Sequence, residues 1–499
     1  MKRIFIAVFA LFSFTVKAQK NTLLDQSFWK NQPNVEVVKA EVSKGNNPLE
    51  FNRMMMDAIA IAINTGAPNE TIKFLLSQSG ADVNRLTHEG RTYLHWAAFK
   101  GNVEIMEELI NKGAKATVQD VNETTPLCFA AMGGQLTIQG VELCVKGGAN
   151  LKNDVNRDGA NVLLLAVTND KDLALTNYFV SKGLDIKSVD KNGNTIFSYA
   201  ARGGNVNTLK ALIQKGVAVS DNAIIMAAQG RRGPANTIEV FEYLESLNIK
   251  PTVTSKSGEN VLHFIVRKPN QKDIIEHFLS KGVDVNQADS EGNTVFMNAA
   301  ASNKDLAILE LLSAKVKNIN QSNQKSETPL ALALKGNSPE VVKFLLDKGA
   351  DVKMTNKDGE NVLAYLIQSY AGAEGRPGPN ASKPEDFDNK LKMLQEKGLA
   401  ATTPQKNGNT LYHLAIMKSD IGLLKRLQPL GIDINAKNTE GITALHKAAM
   451  IAKDDTILKY LLSIGAEKNV VTNFKESAFD LASENETLTK SNVSINFLK

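Results

Sequence analysis

Cysteine is nearly absent: Cys128 and Cys144 are the only two in 499 residues. A disulfide framework is thereby excluded as the basis of the fold. Long apolar runs are also missing. The longest, Ile4 to Val16, has about 13 residues, too few to favour a membrane-spanning helix. No H-E-x-x-H, G-x-S-x-G, phosphate-loop or G-x-G-x-x-G pattern occurs, which leaves zinc proteases, serine hydrolases and nucleotide enzymes without their sequence marks. An excess of charge is missing too. The formal charge is +5, and it falls to +2 if Lys2, Arg3 and Lys17 are removed with a leader. A nucleic-acid partner demands a basic stripe that such a balance does not supply.

What is present is a repeat. Gly45, Gly80, Gly113, Gly148, Gly183, Gly216, Asn248, Gly282, Val316, Gly349, Gly398, Gly431 and Gly465 each follow an amphipathic helical pattern. Neighbours stand 32 to 35 residues apart, except for a step of 49 from Gly349 to Gly398. Glycine suits the left-handed conformation that ends a helix, and asparagine is its usual substitute. Val316 fits neither. A second ruler agrees: Thr92, Thr125, Asn161, Thr195, Asn222, Asn260, Thr294, Thr328, Asn361, Thr410, Thr443 and Ser477 read as N-caps of a shorter first helix. Each unit is thus a pair of short helices, and neither can bury its apolar face alone.

The segments Thr92-Tyr93-Leu94-His95-Trp96-Ala97, Thr443-Ala444-Leu445-His446-Lys447-Ala448 and Thr328-Pro329-Leu330-Ala331-Leu332-Ala333 resemble the ankyrin-repeat signature T-P-L-H-x-A. Gly80-Ala81-Asp82-Val83-Asn84 resembles its G-A-D-V-N end. The resemblance implies an all-α solenoid of about thirteen helix-turn-helix units with short β-turn fingers and degenerate end caps. It implies binding of other proteins through a concave face and the fingers. Fold alone does not fix function.

The expected organisation runs from a signal peptide at 1–18 through a capping unit at 19–50 and an array at 51–472 to a capping unit at 473–499. Lys2 and Arg3 before the apolar run, and Val16-Lys17-Ala18 before Gln19, read as a secretory leader. The expected location is therefore periplasmic or secreted. Trp29 reads as packing of the first cap, and residues 485–499 as a frayed polar end. The long step places an insertion at 369–388, rich in Gly, Pro, Ala and Ser, and it reads as a flexible loop between helices.

His95, His263, His413 and His446 each stand three residues after a cap. Spaced a repeat or more apart, they form a ladder and not a metal cluster. The resemblance makes them structural, bonding the backbone and the capping residue as Thr92 does for His95. Asp158, Asp190, Asp289 and Asp358 recur near the fingers, where Asp-x-x-Gly makes a tight turn. Cys128 takes the histidine place in its unit and Cys144 a core place. Free buried thiols are the favoured reading, and an oxidised pair is the other.

The residue after the histidine place is Trp96, Phe129, Leu165, Tyr199, Phe264, Tyr365 or Leu414 in seven units. We take Trp96, Phe129, Tyr199, Phe264 and Tyr365 as candidate partner-binding residues, since aromatic anchors dominate binding hot spots. Packing within the array is the competing reading. The function expected is that of an exported, non-enzymatic protein-binding scaffold, monomeric, with no cofactor, metal or nucleic acid. The alternatives are a regulator or protective accessory protein of an exported enzyme, and an enzyme with its site in the 369–388 insertion.

Overall fold

The computed structural model describes residues 21–231, 235–370 and 384–499. Regular structure among them is helical, with isolated β-bridges in place of strands. One unit explains the rest. Thr92 leaves the helical region and caps Tyr93–Phe99, whose residues 93–98 are all buried. A helix apolar on every side needs packing on every side, and it has neighbours: Tyr93–Phe99 packs on its own second helix and on the next first helix, Pro126–Gly133. The second helix, Val103–Asn111, buries only Ile105, Met106, Leu109 and Ile110, and packs on Ile138–Lys146. Helices of seven to nine residues are marginal alone in water. Stacking stabilises them.

Each unit closes as the glycine ruler requires. Gly113 lies at φ +89 and Gly216 at φ +78, and Asn248 follows them at φ +66. Val316 is not in the left-handed region, and the helix before it, Leu306–Ser313, ends on Ala314 in the right-handed region. The cap ruler needs one correction. Asn222 is the first residue inside Asn222–Gln229 and not its cap. The connection from Gly216 to this helix, residues 217–221, is too short to hold a finger. The cap ruler also misses Asp57, which caps Ala58–Thr65 by accepting from the Ala60 N–H at 2.9 Å.

The chain divides into two compact units between Ala227 and Ala228, within the fingerless repeat. The first opens with Thr22–Leu24, Gln26–Lys30 and Val35–Ser43. Trp29 is fully buried there and donates from Nε1 to the Leu23 carbonyl at 2.8 Å. In the second unit the expected loop at 369–388 is corrected at both ends. Ser369 closes the helix Val362–Ser369, and residues 384–388 form the first turns of Pro384–Glu396. Phe387 is buried, and its ring meets that of Tyr370 edge-on. Residues 371–383 lie outside the described residues.

The expected fraying at 485–499 is corrected too. Asn485 caps Glu486–Lys490 and donates from Nδ2 to the carbonyls of Ala449 and Ala452, at 3.0 and 2.9 Å. Leu488 and Leu498 are buried behind it.

Candidate protein-interaction surface

The four histidines join units. In each, Nδ1 accepts the N–H of its own capping residue at 3.1 Å: Thr92 for His95, Asn260 for His263, Thr410 for His413, Thr443 for His446. That acceptor role leaves the proton on Nε2. Nε2 donates to a carbonyl of the following unit: Thr124, Asn293, Ile442 and Val470, at 2.9 to 3.3 Å. Burial holds all four below the ordinary imidazole value, His95 at about 4. The own-unit half of this arrangement follows from the repeat signature. The link to the next unit leaves no mark within the histidine's own unit.

The fingers share one construction. Asp120, Asn156, Asp190, Asp289, Asn323 and Asn438 each accept from the backbone N–H four residues on, which closes a tight turn. Asp190 and Asp289 therefore play the role expected of them. Asp158 and Asp358 directly precede their glycines, and Asn156 and Asn356 close those two turns instead. Adjacent fingers are then linked by backbone rungs. Val121 N–H donates to the Glu89 carbonyl and Lys191 N–H to Asp158 in the first unit. In the second, rungs run from Ser290 to Ser257, Gln324 to Glu291, Lys357 to Lys325, Lys406 to Gly359, Thr439 to Asn407 and Asn473 to Glu440.

Three of the five candidate rings are held to these fingers by hydrogen bonds. Trp96 donates from Nε1 to Thr87 Oγ1 at 2.8 Å, Tyr199 from its hydroxyl to Asp190 Oδ2 at 3.0 Å, and Tyr365 from its hydroxyl to Glu327 Oε1 at 3.2 Å while accepting from Asn356 Nδ2 at 3.0 Å. Phe129 stacks on Phe99, and the Arg91 guanidinium lies over its face at 4.3 Å. Trp96, Phe129, Tyr199 and Tyr365 are buried, and Phe264 is half-buried. The expectation that the rings present a recognition groove is thus corrected for four of the five. The polar tips of Trp96, Tyr199 and Tyr365 brace the finger nine residues upstream, and little surface of the four buried rings remains for a partner.

Exposed surface reappears one helical turn further on. Met132, Met417 and Met450 stand three residues beyond the ring place and are 43, 59 and 48% exposed. Three residues along a helix is the same face, and first helices stack on first helices. Equivalent positions therefore form a row within each unit. Sequence reasoning stopped at the more aromatic ring row. The outward signal was a methionine recurring at one place in the repeat.

The cysteine reading is of free, buried thiols, and both are so found. Burial pushes each up to about 12, so they are poor nucleophiles. Among the described residues no group of three His, Cys, Asp or Glu is placed to hold a metal, and no helix is long and apolar enough to cross a membrane.

This architecture of stacked helix pairs, backbone-linked fingers and histidine bridges is that of a helical repeat solenoid. The sequence matches the family described as "Ankyrin repeats (3 copies)" at residues 29–120, 163–255, 262–356, 297–373 and 381–488. The chain belongs to the ankyrin-repeat family. It is 26% identical over 452 residues to the human transient receptor potential cation channel subfamily A member 1, covering 89% of this chain and 33% of that protein. It is 25% identical over 425 residues to the phosphocholine transferase AnkX of Legionella pneumophila, covering 80% of this chain and 38% of that enzyme. Most of each relative thus lies outside the match. Among solved structures, the ankyrin repeat domain of Bcl-3 aligns with a TM-score of 0.35 and 18% identity, over 48% of this chain and 100% of that one.

Proposed function

We propose that this chain is an exported, non-enzymatic scaffold that binds a partner protein on the face formed by its first helices and fingers. The observation that carries this reading is the pair Met417 and Met450, exposed at one place in neighbouring repeats of the second unit, with Met132 exposed at the same repeat place in the first. Methionine adapts its shape to a partner and is favoured on binding surfaces. Family membership supports a protein partner. Lys2 and Arg3 before the apolar run support export, to the periplasm or beyond.

A photo-cross-linking residue at Met417 or Met450, tested in envelope extract, should give the same identified adduct from both positions. A cross-linker at Lys343, on a second helix, should not give it. Adducts from Lys343 alone would overturn the reading. N-terminal sequencing should find the mature chain starting near Gln19, and an intact Met1 in a cytosolic fraction would refute export.

A further inference from the structure

In the second unit the two sets of helices handle charge differently. Ion pairs lie on the second helices and the turns after them: Lys272 with Glu276, Lys348 with Glu310, Lys343 with Asp347, Lys459 with Asp455. Among the described residues, Arg267, Lys335, Lys418 and Lys447, on or just past first helices, make no ion pair. Arg267 donates to the Asn298 side-chain oxygen at 2.7 Å and Lys418 to the Gln368 carbonyl at 2.7 Å, both neutral acceptors. Lys335 is exposed at the end of Pro329–Gly336.

Among the described residues, carboxylates at the base of the fingers are tied elsewhere. Glu259, Glu327 and Glu360 accept from Ser255, Asn323 and Asn356 at the base of their fingers, at 3.2, 2.9 and 3.0 Å. Glu259 and Glu440 act on Arg267 and Lys447 only through longer-range attraction. Glu484 closes the row at the far end.

The cations also have a spacing. Arg267, Lys335 and Lys418 fall in alternate repeats, with Lys447 in the repeat after Lys418. Stacked helices stand about 8–10 Å apart, so cations two repeats apart are separated by roughly 16–20 Å. An extended chain advances about 3.3 Å per residue, or five to six residues over that span. Phosphates along a single strand repeat much more closely. Beside the last two cations lie the exposed thioethers of Met417 and Met450, which suit apolar side chains.

We propose that the first-helix face of the second unit binds an extended acidic segment of a partner protein, with carboxylates about every fifth or sixth residue and apolar residues meeting Met417 and Met450. This rests on the scaffold reading above and names the chemistry of its partner. Unpaired surface charge of one sign gives such a face specificity and fast capture.

The test uses the full mature chain and a fluorescein-labelled peptide repeating Glu-Ser-Gly-Leu-Ser, with fluorescence anisotropy as readout. Its Gln counterpart and an oligo-dT of similar length serve as comparisons. The Glu peptide should bind, more weakly as salt is raised. The Gln peptide should bind at least about tenfold more weakly, as should the Glu peptide to the chain carrying Arg267→Gln, Lys335→Gln, Lys418→Gln and Lys447→Gln. A chain carrying Lys272→Gln, Lys343→Gln and Lys459→Gln should bind as the unsubstituted chain does. The proposal is overturned if the Glu peptide does not bind, if either peptide or protein change leaves binding intact, or if oligo-dT binds more tightly. If the fourfold variant still yields the Met417 adduct in full, the acidic-partner inference fails and the scaffold reading stands.

Discussion

At the scale of single residues, four of the hydrogen bonds between repeats rest on uncharged histidines. Protonating Nδ1 would turn the acceptor of the cap N–H into a donor facing a donor. Burial lowers the folded-state values below the unfolded imidazole value. Their contribution to stability is therefore fully present above about pH 6.5 and is lost as pH falls toward about 4, the value for His95. Urea melts at pH 7.5 and 4.5 should show this loss. At pH 7.5, His446→Ala should cost about 1–3 kcal/mol, the range for buried polar groups left unpaired.

Lys390 has a dependence of the same sign in a higher range of pH. It is fully buried, donates to the Leu334 carbonyl at 3.3 Å, and is pushed down by burial to about 8. Between about pH 8 and the ordinary lysine value only the unfolded chain holds the proton, so stability rises with pH there. Lys390→Met should remove that rise and raise the urea midpoint at pH 7, where the native chain carries a buried charge. The histidine place was legible from its three-residue distance to a cap. Lys390 was not, because a lysine on a second helix reads as solvated until its surroundings are known.

Among elements, the rings belong to the finger and first helix together. Trp96→Ala should cost about 3–5 kcal/mol, as large aromatic truncations in a core do, in a thermal or urea melt. Tyr199→Phe, which removes only the hydroxyl bond to Asp190, should cost about 1 kcal/mol. Neither change should reduce cross-linking from Met417. Recurrence of a ring at one repeat position was legible in the sequence. Its direction was not, because the partner for its polar tip lies nine residues back and is sometimes Thr, sometimes Asp, sometimes Asn. The Pro384–Glu396 helix shows the same limit. Its first turns read as loop because Pro384, Glu385 and Asp386 resemble linker composition, yet acidic residues and proline also suit a helix start. Deleting residues 369–388 should lower the melting temperature, since it removes the buried Phe387.

On the scale of the molecule, the repeat count was readable from spacing alone, and the short step of 27 from Thr195 to Asn222 marks a shortened finger. The division into two units was not readable, because the repeat spacing runs on through Ala227 and Ala228. Both tryptophans, Trp29 and Trp96, are buried in the first unit. Tryptophan emission therefore reports that unit alone, while far-ultraviolet dichroism reports helices in both. In urea the two probes should give midpoints that do not coincide, and coincident curves would mean one cooperative transition.

The finger rungs carry a consequence for how such a chain can lengthen. From Asn52–Met56 to Thr472–Glu476, each finger spans the same five residues, closed by an N–H to carbonyl bond between its ends. Length has changed elsewhere, between the first and second helices after Gly230 and Tyr370. Each unit is thus like a bound book. A leaf at the spine is kept whole or dropped whole, as after Gly216, while the fore-edge is free to be trimmed or extended. A foreign segment grafted between Tyr370 and Pro384 would ride on the fore-edge, whereas one residue added to a finger would misalign the stitching on both sides of it.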